Sequence, residues 1–160
     1  MLATARKKVP AGAKWLHEMV FDGVRVQAHL VTGRATLYTR DGEDCTQRFP
    51  AIAEAVQALP ANHAIIDGVP RDRMVCYAFD LLFLDGFDTR SATLVERKRV
   101  LEGFIAEAGH PRLAYSEHLS DGETMLRHAR KIGASGIVCK AKDAPYRSGR
   151  TSEWIEVASV

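Results

Sequence analysis

The sequence predicts an α+β fold in which mainly antiparallel sheets are flanked by helices. Three observations support this prediction: a segment of strict apolar and polar alternation, a hairpin signal directly after it, and three helical segments with end signals elsewhere in the chain. Hairpins mixed with separate helices are typical of α+β domains.

Strand signals occur in several segments. Residues 24–31 alternate between apolar and polar side chains, as in a half-buried strand. Thr32-Gly33 can then turn the chain back into ATLYTR, which predicts a hairpin. Residues 74–84 are almost continuously apolar and predict a central strand. Shorter strands are predicted in RLAYSE, GIVCKA and EWIEVA.

Three helices are predicted from apolar periodicity and end signals. The first covers residues 49–59, with Pro50 in its first turn. A capping box of Thr93 and Glu96 begins the second helix, and Gly109 ends it.

The third helix is predicted between the capping box of Ser120 and Glu123 and the stop signal Gly133. Two basic runs, ERKR at 96–99 and RHARK at 127–131, are interpreted as the solvated faces of the second and third helices. Neither run is therefore predicted to be a binding site.

Composition places residues 1–160 in one domain without a strong bulk charge. Hydrophobic residues make up 46% of the chain, charged residues 26%, and the formal net charge is +2, so bulk charge does not predict a nucleic-acid partner. The three cysteines form no C-x-x-C pair, which argues against a disulfide framework or a zinc site. No signal peptide or membrane-spanning window is found, so we expect a cytoplasmic protein with no membrane partner.

Five Asp-Gly pairs occur in the chain, and four of them lie within longer motifs whose order is specific. The motifs are HEMVFDGVRV, YTRDG, AIIDGV, YAFDLLFLDG and SGIVCKAKDAPYRSGRTSEWIEV. This succession resembles the adenylation domain of ATP-dependent DNA ligases, in particular the ligase module of bacterial end-joining ligases, from about Trp15 to Val157. The resemblance implies a nucleotidyltransferase (ATP-grasp-like) ligase adenylation fold and a family role in DNA repair and recombination.

The resemblance also implies a definite chemistry. The first family motif reads E-x-K-x-D-G-x-R, and its lysine attacks the α-phosphate of ATP to carry AMP as a phosphoramidate. Mg²⁺ and cationic side chains neutralise the phosphates as charge develops. The AMP then passes to a DNA 5′-phosphate and is displaced by the 3′-hydroxyl of the nick.

Many family positions are retained in this chain. By resemblance, the residues that match the nucleotide-binding positions are Glu18, Arg25, Arg40, Phe79 and Lys140. Phe79 matches the ring that stacks on adenine, although the residue taken alone would be assigned to the core. The further matching positions are Asp22, Gly23, Gly42, Asp67, Gly68, Asp80, Tyr146, Gly149, Arg150 and Trp154.

The positions that perform the chemistry in the family are lost. Val20 occupies the place of the nucleophilic lysine, and other catalytic positions are occupied by Val69, Ser135, Glu156 and Ala158. Valine has no lone pair, so the sequence predicts no catalytic residue and no self-adenylation. Since anionic and cationic positions are lost together, no uncompensated charge is expected. ATP and Mg²⁺ are the cofactors of the active family. Because these positions are lost, neither is firmly predicted to be a cofactor of this chain.

A basic segment predicts residual binding to DNA phosphates. KAKDAPYRSGR contains Lys140, Lys142, Arg147 and Arg150 against the single acid Asp143. Lys142, Arg147 and Arg150 are the predicted phosphate-binding residues, and the predicted partner is nicked or broken double-stranded DNA. Taken without the resemblance, the segment is more simply a solvated basic loop.

Two departures from the family concern the length of the chain. Only PRDRM, residues 70–74, separates two strand motifs, so the domain is expected to be shortened between residues 69 and 75. The sequence ends shortly after Trp154, so we expect no C-terminal OB-fold domain in it. A partner protein could supply that fold.

Two alternatives to an inactive pseudo-ligase remain open. An active ligase would need another nucleophile or partner, and the nearest upstream lysine, Lys14, lies roughly 20 Å from Val20 along an extended strand. A structural or protein-interaction module would use an apolar pocket around Val20, Val69 and Phe79. His17 and Glu18 are adjacent on a strand and point to opposite faces, so they are not predicted to form a catalytic pair.

Overall fold

A computed structural model describes residues 1–160, which group into two compact units. Unit 1 contains residues 1–22, 92–95 and 116–160, and unit 2 contains residues 23–91 and 96–115. The strands are β1 (Leu2–Arg6), β2 (Trp15–Met19), β3 (Val26–Val31), β4 (Arg34–Thr39), β5 (His63–Arg71), β6 (Val75–Leu84), β7 (Phe87–Asp88), β8 (Leu113–Tyr115), β9 (His118–Leu119), β10 (Gly136–Ala141) and β11 (Arg150–Ala158). The α-helices are α1 (Pro50–Gln57), α2 (Leu94–Ala108) and α3 (Gly122–Ile132), and Thr46–Arg48 forms a short 3₁₀ turn.

Unit 1 is built on a five-stranded sheet with the order β1-β11-β10-β2-β9. Helix α3 covers one face of this sheet, where its apolar residues join a core of alternate strand residues. That core consists of Trp15, Met125, Leu126, Ala129, Ile137, Cys139, Ile155 and Val157. The edge strand β1, which the sequence did not predict, runs parallel to β11.

Unit 2 is built on a sheet with the order β4-β3-β5-β6-β7, and β8 pairs in parallel with β6. Its core receives the apolar side chains of α1 and of the part of α2 that belongs to this unit. All strand pairs in the two sheets are antiparallel except β1–β11 and β6–β8. The predicted α+β class with mainly antiparallel sheets is confirmed.

The predicted helices are present, and the start of the third needs a correction. Helix α1 has Pro50 at its first position, and Gly109 and Gly133 follow α2 and α3 with positive φ. The sequence assigned the third cap to Ser120, but the N-cap is Asp121. Its carboxylate accepts a hydrogen bond of 3.1 Å from the backbone N–H of Thr124.

The interpretation of ERKR as a solvated face is wrong for two of its residues. Arg97 and Lys98 are each only 1% exposed, because α2 turns them toward the interior of unit 2. Arg97 is ion-paired with the fully buried Asp80, and the Lys98 ammonium lies 4.5 Å from the centre of the Tyr115 ring. The RHARK run, by contrast, is exposed except for Ala129.

Three hairpin turns of unit 2 share one backbone form. In each, both central residues have positive φ, as in the type I′ turn that suits a twisted hairpin. The β3–β4 turn uses Thr32-Gly33 and the β6–β7 turn uses Asp85-Gly86, but the β5–β6 turn uses Asp72-Arg73. Arg73 has φ of +59°, a conformation in which its Cβ is strained.

The strain at Arg73 gives a test of this turn. We expect Arg73→Gly to raise the free energy of unfolding by about 0.5–1 kcal/mol, because glycine adopts positive φ without the Cβ clash. Gly33→Ala is the matched control: nothing lies within 4 Å of the added Cβ, so only the backbone strain counts. It should destabilise by about 1 kcal/mol. Urea denaturation measures both, and an Arg73→Gly protein less stable than the wild type would contradict this account.

Candidate functional site

The strand register of unit 1 places four of the predicted site positions on one face of its sheet. Glu18 pairs with Val138, which pairs with Glu156, and Lys140 pairs with Trp154. Directly paired residues share a face, and alternate residues along a strand return to it. The face opposite α3 therefore carries Glu18, Val138, Lys140, Trp154, Glu156 and Ala158.

Glu18 and Lys140 form a buried ion pair on this face. The Lys140 ammonium donates to Glu18 Oε2 at 3.0 Å, and each side chain is only 3% exposed. The Ser116 hydroxyl donates to the same oxygen at 3.1 Å, and the ammonium lies 4.2 Å from the centre of the Trp154 ring. The charge of Glu18 is therefore balanced by a cation from β10.

Val20 lies just beyond β2, two residues after Glu18. Its backbone N–H donates to the Gly136 carbonyl at 3.0 Å, so the main chain at this position is tied to the start of β10. The Val20 side chain is half-buried, whereas Ser135 is exposed. Glu156 and Ala158, at the other lost positions of β11, are also exposed.

In unit 2, Arg25 connects two of the predicted positions. Its Nε donates to Asp67 Oδ1 at 2.9 Å and its Nη2 to Oδ2, which makes a two-pronged pair with a fully buried carboxylate. The same guanidinium lies 5.2 Å from the centre of the half-buried Phe79 ring. Arg25 thus contacts both Asp67 on β5 and the Phe79 ring on β6.

Val69 occupies a tightly packed place in unit 2. A Cβ added to Gly23 would lie 2.9 Å from Val69 Cγ1 and 2.9 Å from the Pro70 carbonyl oxygen, and Gly23 has φ of +151°. A side chain at residue 23 would displace this strand, so glycine is required there for steric reasons. Val69 itself is half-buried and pairs with Tyr77.

Two residues that hold site positions were missed at the level of sequence. Arg97 donates to both carboxylate oxygens of Asp80 at 2.7 and 3.1 Å, so this motif residue has a buried structural partner. The i, i+3, i+4 spacing of Arg97 within α2 was the available signal, but its charge suggested solvent. Ser116, which donates to Glu18, is 98 residues away in sequence and gave no signal.

The basic segment is divided by the fold. Lys140 belongs to β10 and is buried, so it is separate from the loop with which the sequence grouped it. Lys142 is half-buried, and Arg147 is exposed in the loop between β10 and β11. Arg150 is exposed and donates to the Ala3 carbonyl at 2.7 Å. In unit 2, Arg40 is exposed at the end of β4.

His17 and Glu18 have different surroundings, as the sequence predicted. His17 Nδ1 lies 3.1 Å from Cys139 Sγ, and both residues are buried on the α3 side of the sheet. Burial lowers the pKa of His17 and raises the pKa of the Cys139 thiol to about 12. A thiol with so high a pKa is a poor nucleophile, so this pair adds no second reactive centre.

Lys14 lies at the opposite end of β2 from Val20. It is exposed, and its ammonium lies 4.8 Å from the centre of the neighbouring Trp15 ring. Strand β2 is regular over Trp15–Met19, so it keeps the two positions roughly 20 Å apart. No helix in the structure is both long and apolar enough to span a membrane.

Comparison with known protein families identifies the class to which these units belong. The family model described as "ATP dependent DNA ligase domain" matches residues 1–69 and 69–157. The chain belongs to this family. The predicted resemblance to ATP-dependent DNA ligases is therefore confirmed.

Individual relatives agree with the family match. The multifunctional non-homologous end joining protein LigD of Pseudomonas aeruginosa is 28% identical over 98% of this chain, and a probable DNA ligase of Nocardioides sp. is 33% identical over 87% of it. The chain spans only 21% and 32% of the lengths of these two relatives.

Solved structures confirm the fold of a ligase adenylation domain. The mycobacterial DNA ligase D complexed with ATP and MES has a TM-score of 0.78 at 25% identity, and the match covers 98% of this chain and 60% of that one. The ligase domain of M. tuberculosis LigD has a TM-score of 0.76 at 28% identity, with 95% and 57% covered. The predicted likeness to the ligase module of end-joining ligases is thereby confirmed.

The Glu18–Lys140 pair gives a test of the charge balance in unit 1. Lys140→Met should lower the free energy of unfolding by about 3–5 kcal/mol, because it leaves the Glu18 carboxylate buried without its cation. The double variant Glu18→Gln/Lys140→Met removes both charges, so its free energy of unfolding should fall much less. Chemical denaturation of the wild type and the variants, with Glu18→Gln completing the cycle, measures the coupling.

An exposed ion pair supplies the control for this test. Asp88 and Arg90 are paired at the surface, with side chains 49% and 60% exposed. Asp88→Asn should therefore change the stability little. If Lys140→Met lowered the free energy of unfolding as little as Asp88→Asn, Lys140 would not be the cation that balances the buried charge of Glu18.

Proposed function

We propose that this chain is a ligase-like adenylation domain that no longer adenylates itself and that retains contact with DNA phosphates. We take residues 1–160 as one such domain. The observation that carries the proposal is Val20, which has no lone pair to attack phosphorus and lies just beyond β2, two residues after Glu18. We also propose a cytoplasmic location, in keeping with three free cysteines.

The charges around Glu18 support the loss of chemistry. Glu18 accepts hydrogen bonds from Lys140 and Ser116, so a valine at position 20 does not leave the Glu18 carboxylate without a cation. Lys140 is committed to that pair as a buried ammonium, and an ammonium has no free electron pair with which to attack. Neither residue therefore replaces the missing nucleophile.

The exposed part of the same face supports this proposal independently. In the family, two lysines are implied where Glu156 and Ala158 stand. One of these replacements reverses the charge and the other removes it, so the face offers less attraction to the phosphates of ATP. These residues therefore do not fit covalent attachment of AMP.

Self-adenylation can be tested by the intact mass of the protein. After incubation with ATP and Mg²⁺ or Mn²⁺, the mass should remain unchanged, because no side chain is placed to form a phosphoramidate. An active ATP-dependent DNA ligase treated in parallel shows that the conditions permit the reaction. An acid-labile increase by one AMP would contradict the proposal, and peptide mapping would then locate the nucleophile.

The retained binding is assigned to the loop between β10 and β11. Arg147 is exposed there, and Lys142 and Arg150 lie near it in sequence, at the two ends of the loop. Cations of this kind contact phosphates without reading sequence. We propose nicked or broken double-stranded DNA as the partner, and an OB-fold supplied by a partner protein or by another part of a longer chain.

Graded effects are expected within this loop. Arg147→Ala should weaken binding to a nicked duplex severalfold and reduce the salt slope by about 1, as for loss of one phosphate contact. Arg150→Ala should have a smaller effect, because its guanidinium already donates to the Ala3 carbonyl. Fluorescence anisotropy across a salt series measures both.

The control for the loop is Lys131→Ala, which removes an exposed cation from the end of α3. It should leave the affinity and the salt slope nearly unchanged. Equal losses for Lys131→Ala and Arg147→Ala would show that only general charge matters, and binding that does not depend on salt would contradict a phosphate site.

A further inference from the structure

We propose that the tip of the β5–β6 hairpin, residues 71–74 with the adjacent Arg112, is a second DNA contact whose exposed side chains enter the minor groove of duplex DNA. The inference rests on the proposed function only in taking DNA as the partner. It concerns unit 2 and a different set of residues from the loop between β10 and β11.

The charge of this tip favours a polyanion. Arg71, Arg73 and Arg112 bring three guanidinium groups to one short hairpin end, and Asp72 is the single acid beside them. The Asp72 carboxylate is 3.8 Å from Arg71 Nε, with side chains 87% and 53% exposed. Two of the three positive charges are thus left in excess of the local acid.

The tip is braced rather than loose. Arg112 Nη1 donates to the Met74 carbonyl at 3.3 Å and lies 3.5 Å from Met74 Sδ. The Arg112 carbonyl in turn accepts from the N–H of Cys76 at 2.8 Å, and the Met74 N–H closes the turn onto the Arg71 carbonyl at 3.0 Å. A braced tip loses less conformational entropy on binding than a mobile loop.

The side chains at the apex of the tip, rather than its strands, suit a narrow groove. A two-stranded ribbon with its side chains is too wide for the minor groove of B-DNA, which is about 6 Å across, so the strands stay outside it and only side chains at the apex can enter. Arginines are drawn into narrow minor grooves by their negative potential. Met74 is 50% exposed at the same end, and an exposed apolar side chain of this kind can wedge between base steps.

Backbone strain at the tip provides the independent observation. Both other type I′ turns of unit 2 have glycine at the second central position, whereas this turn has Arg73 with φ of +59°. A strained residue that is held in place by its surroundings points to a role for its side chain. Here that side chain is an exposed cation at the apex of the hairpin.

The decisive variant is Arg73→Gly, because it should fold at least as well as the wild type. Its affinity for an unnicked A-tract duplex, measured by fluorescence anisotropy at low salt with the full chain, should fall about tenfold. Arg34→Ala is the matched control: it removes an exposed arginine beside the β3–β4 turn and should leave the affinity within about twofold.

A second variant should strengthen binding. Asp72→Asn removes the only acid of the tip, and asparagine tolerates positive φ as well as aspartate does. The affinity for the A-tract duplex should rise severalfold without loss of stability. Netropsin, a small minor-groove ligand, should displace the wild-type protein, and a G·C-rich duplex should bind more weakly than the A-tract.

The outcomes separate this inference from the proposed function. Unchanged affinity for Arg73→Gly, or failure of netropsin to compete, would overturn the hairpin contact. If Arg147→Ala weakens binding and Arg73→Gly does not, the loop contact stands and the hairpin contact fails. If the wild type binds no duplex at low salt, the DNA part of the proposed function fails and the hairpin contact fails with it.

Discussion

The register between β2, β10 and β11 is the constraint on which the rest of unit 1 depends. Because side chains alternate along a strand, this register sends His17 and Cys139 to the α3 side and Glu18 and Lys140 to the other. A slip by one residue would exchange the two sets and bury the ion pair in an apolar core. The same alternation brings Glu156 onto the face of Glu18, which is why the lost positions can be considered together.

Buried pairs of opposite charge explain why several ligase-like residues persist without ligase chemistry. Glu18 is held by Lys140, and Asp80 by Arg97, with all four side chains almost inaccessible to water. Losing one member of such a pair leaves a buried charge that is expensive to accommodate. These residues therefore have a structural task that does not involve the nucleophile. Residues of a family motif can thus be retained in this chain because they stabilise the fold, without taking part in catalysis.

Much of the architecture could be predicted from local sequence, because alternation, helical periodicity and turn residues act over short distances. The hairpin at Thr32-Gly33 is an example. The features that the sequence did not predict depend on contacts between residues far apart in the chain. Arg97 was assigned to solvent because its partner, Asp80, lies on a strand that the helical pattern does not reveal. Ser116 could not be linked to Glu18 for the same reason, and β1 gains its place only from pairing with β11, almost 150 residues later. At α3, two neighbouring residues could both cap, and only the geometry selected Asp121.

The parallel pairing of β1 with β11 has a mechanical consequence. Leu2 lies beside Arg150 and Arg6 beside Val157, so the first and the last of the described strands point the same way. A pulling force applied at residues 1 and 160 would slide these strands past each other and load their hydrogen bonds together. An antiparallel pair pulled from one end would instead open one bond at a time. The β1–β11 pairing is therefore expected to resist such a force better than an antiparallel pair of the same length would.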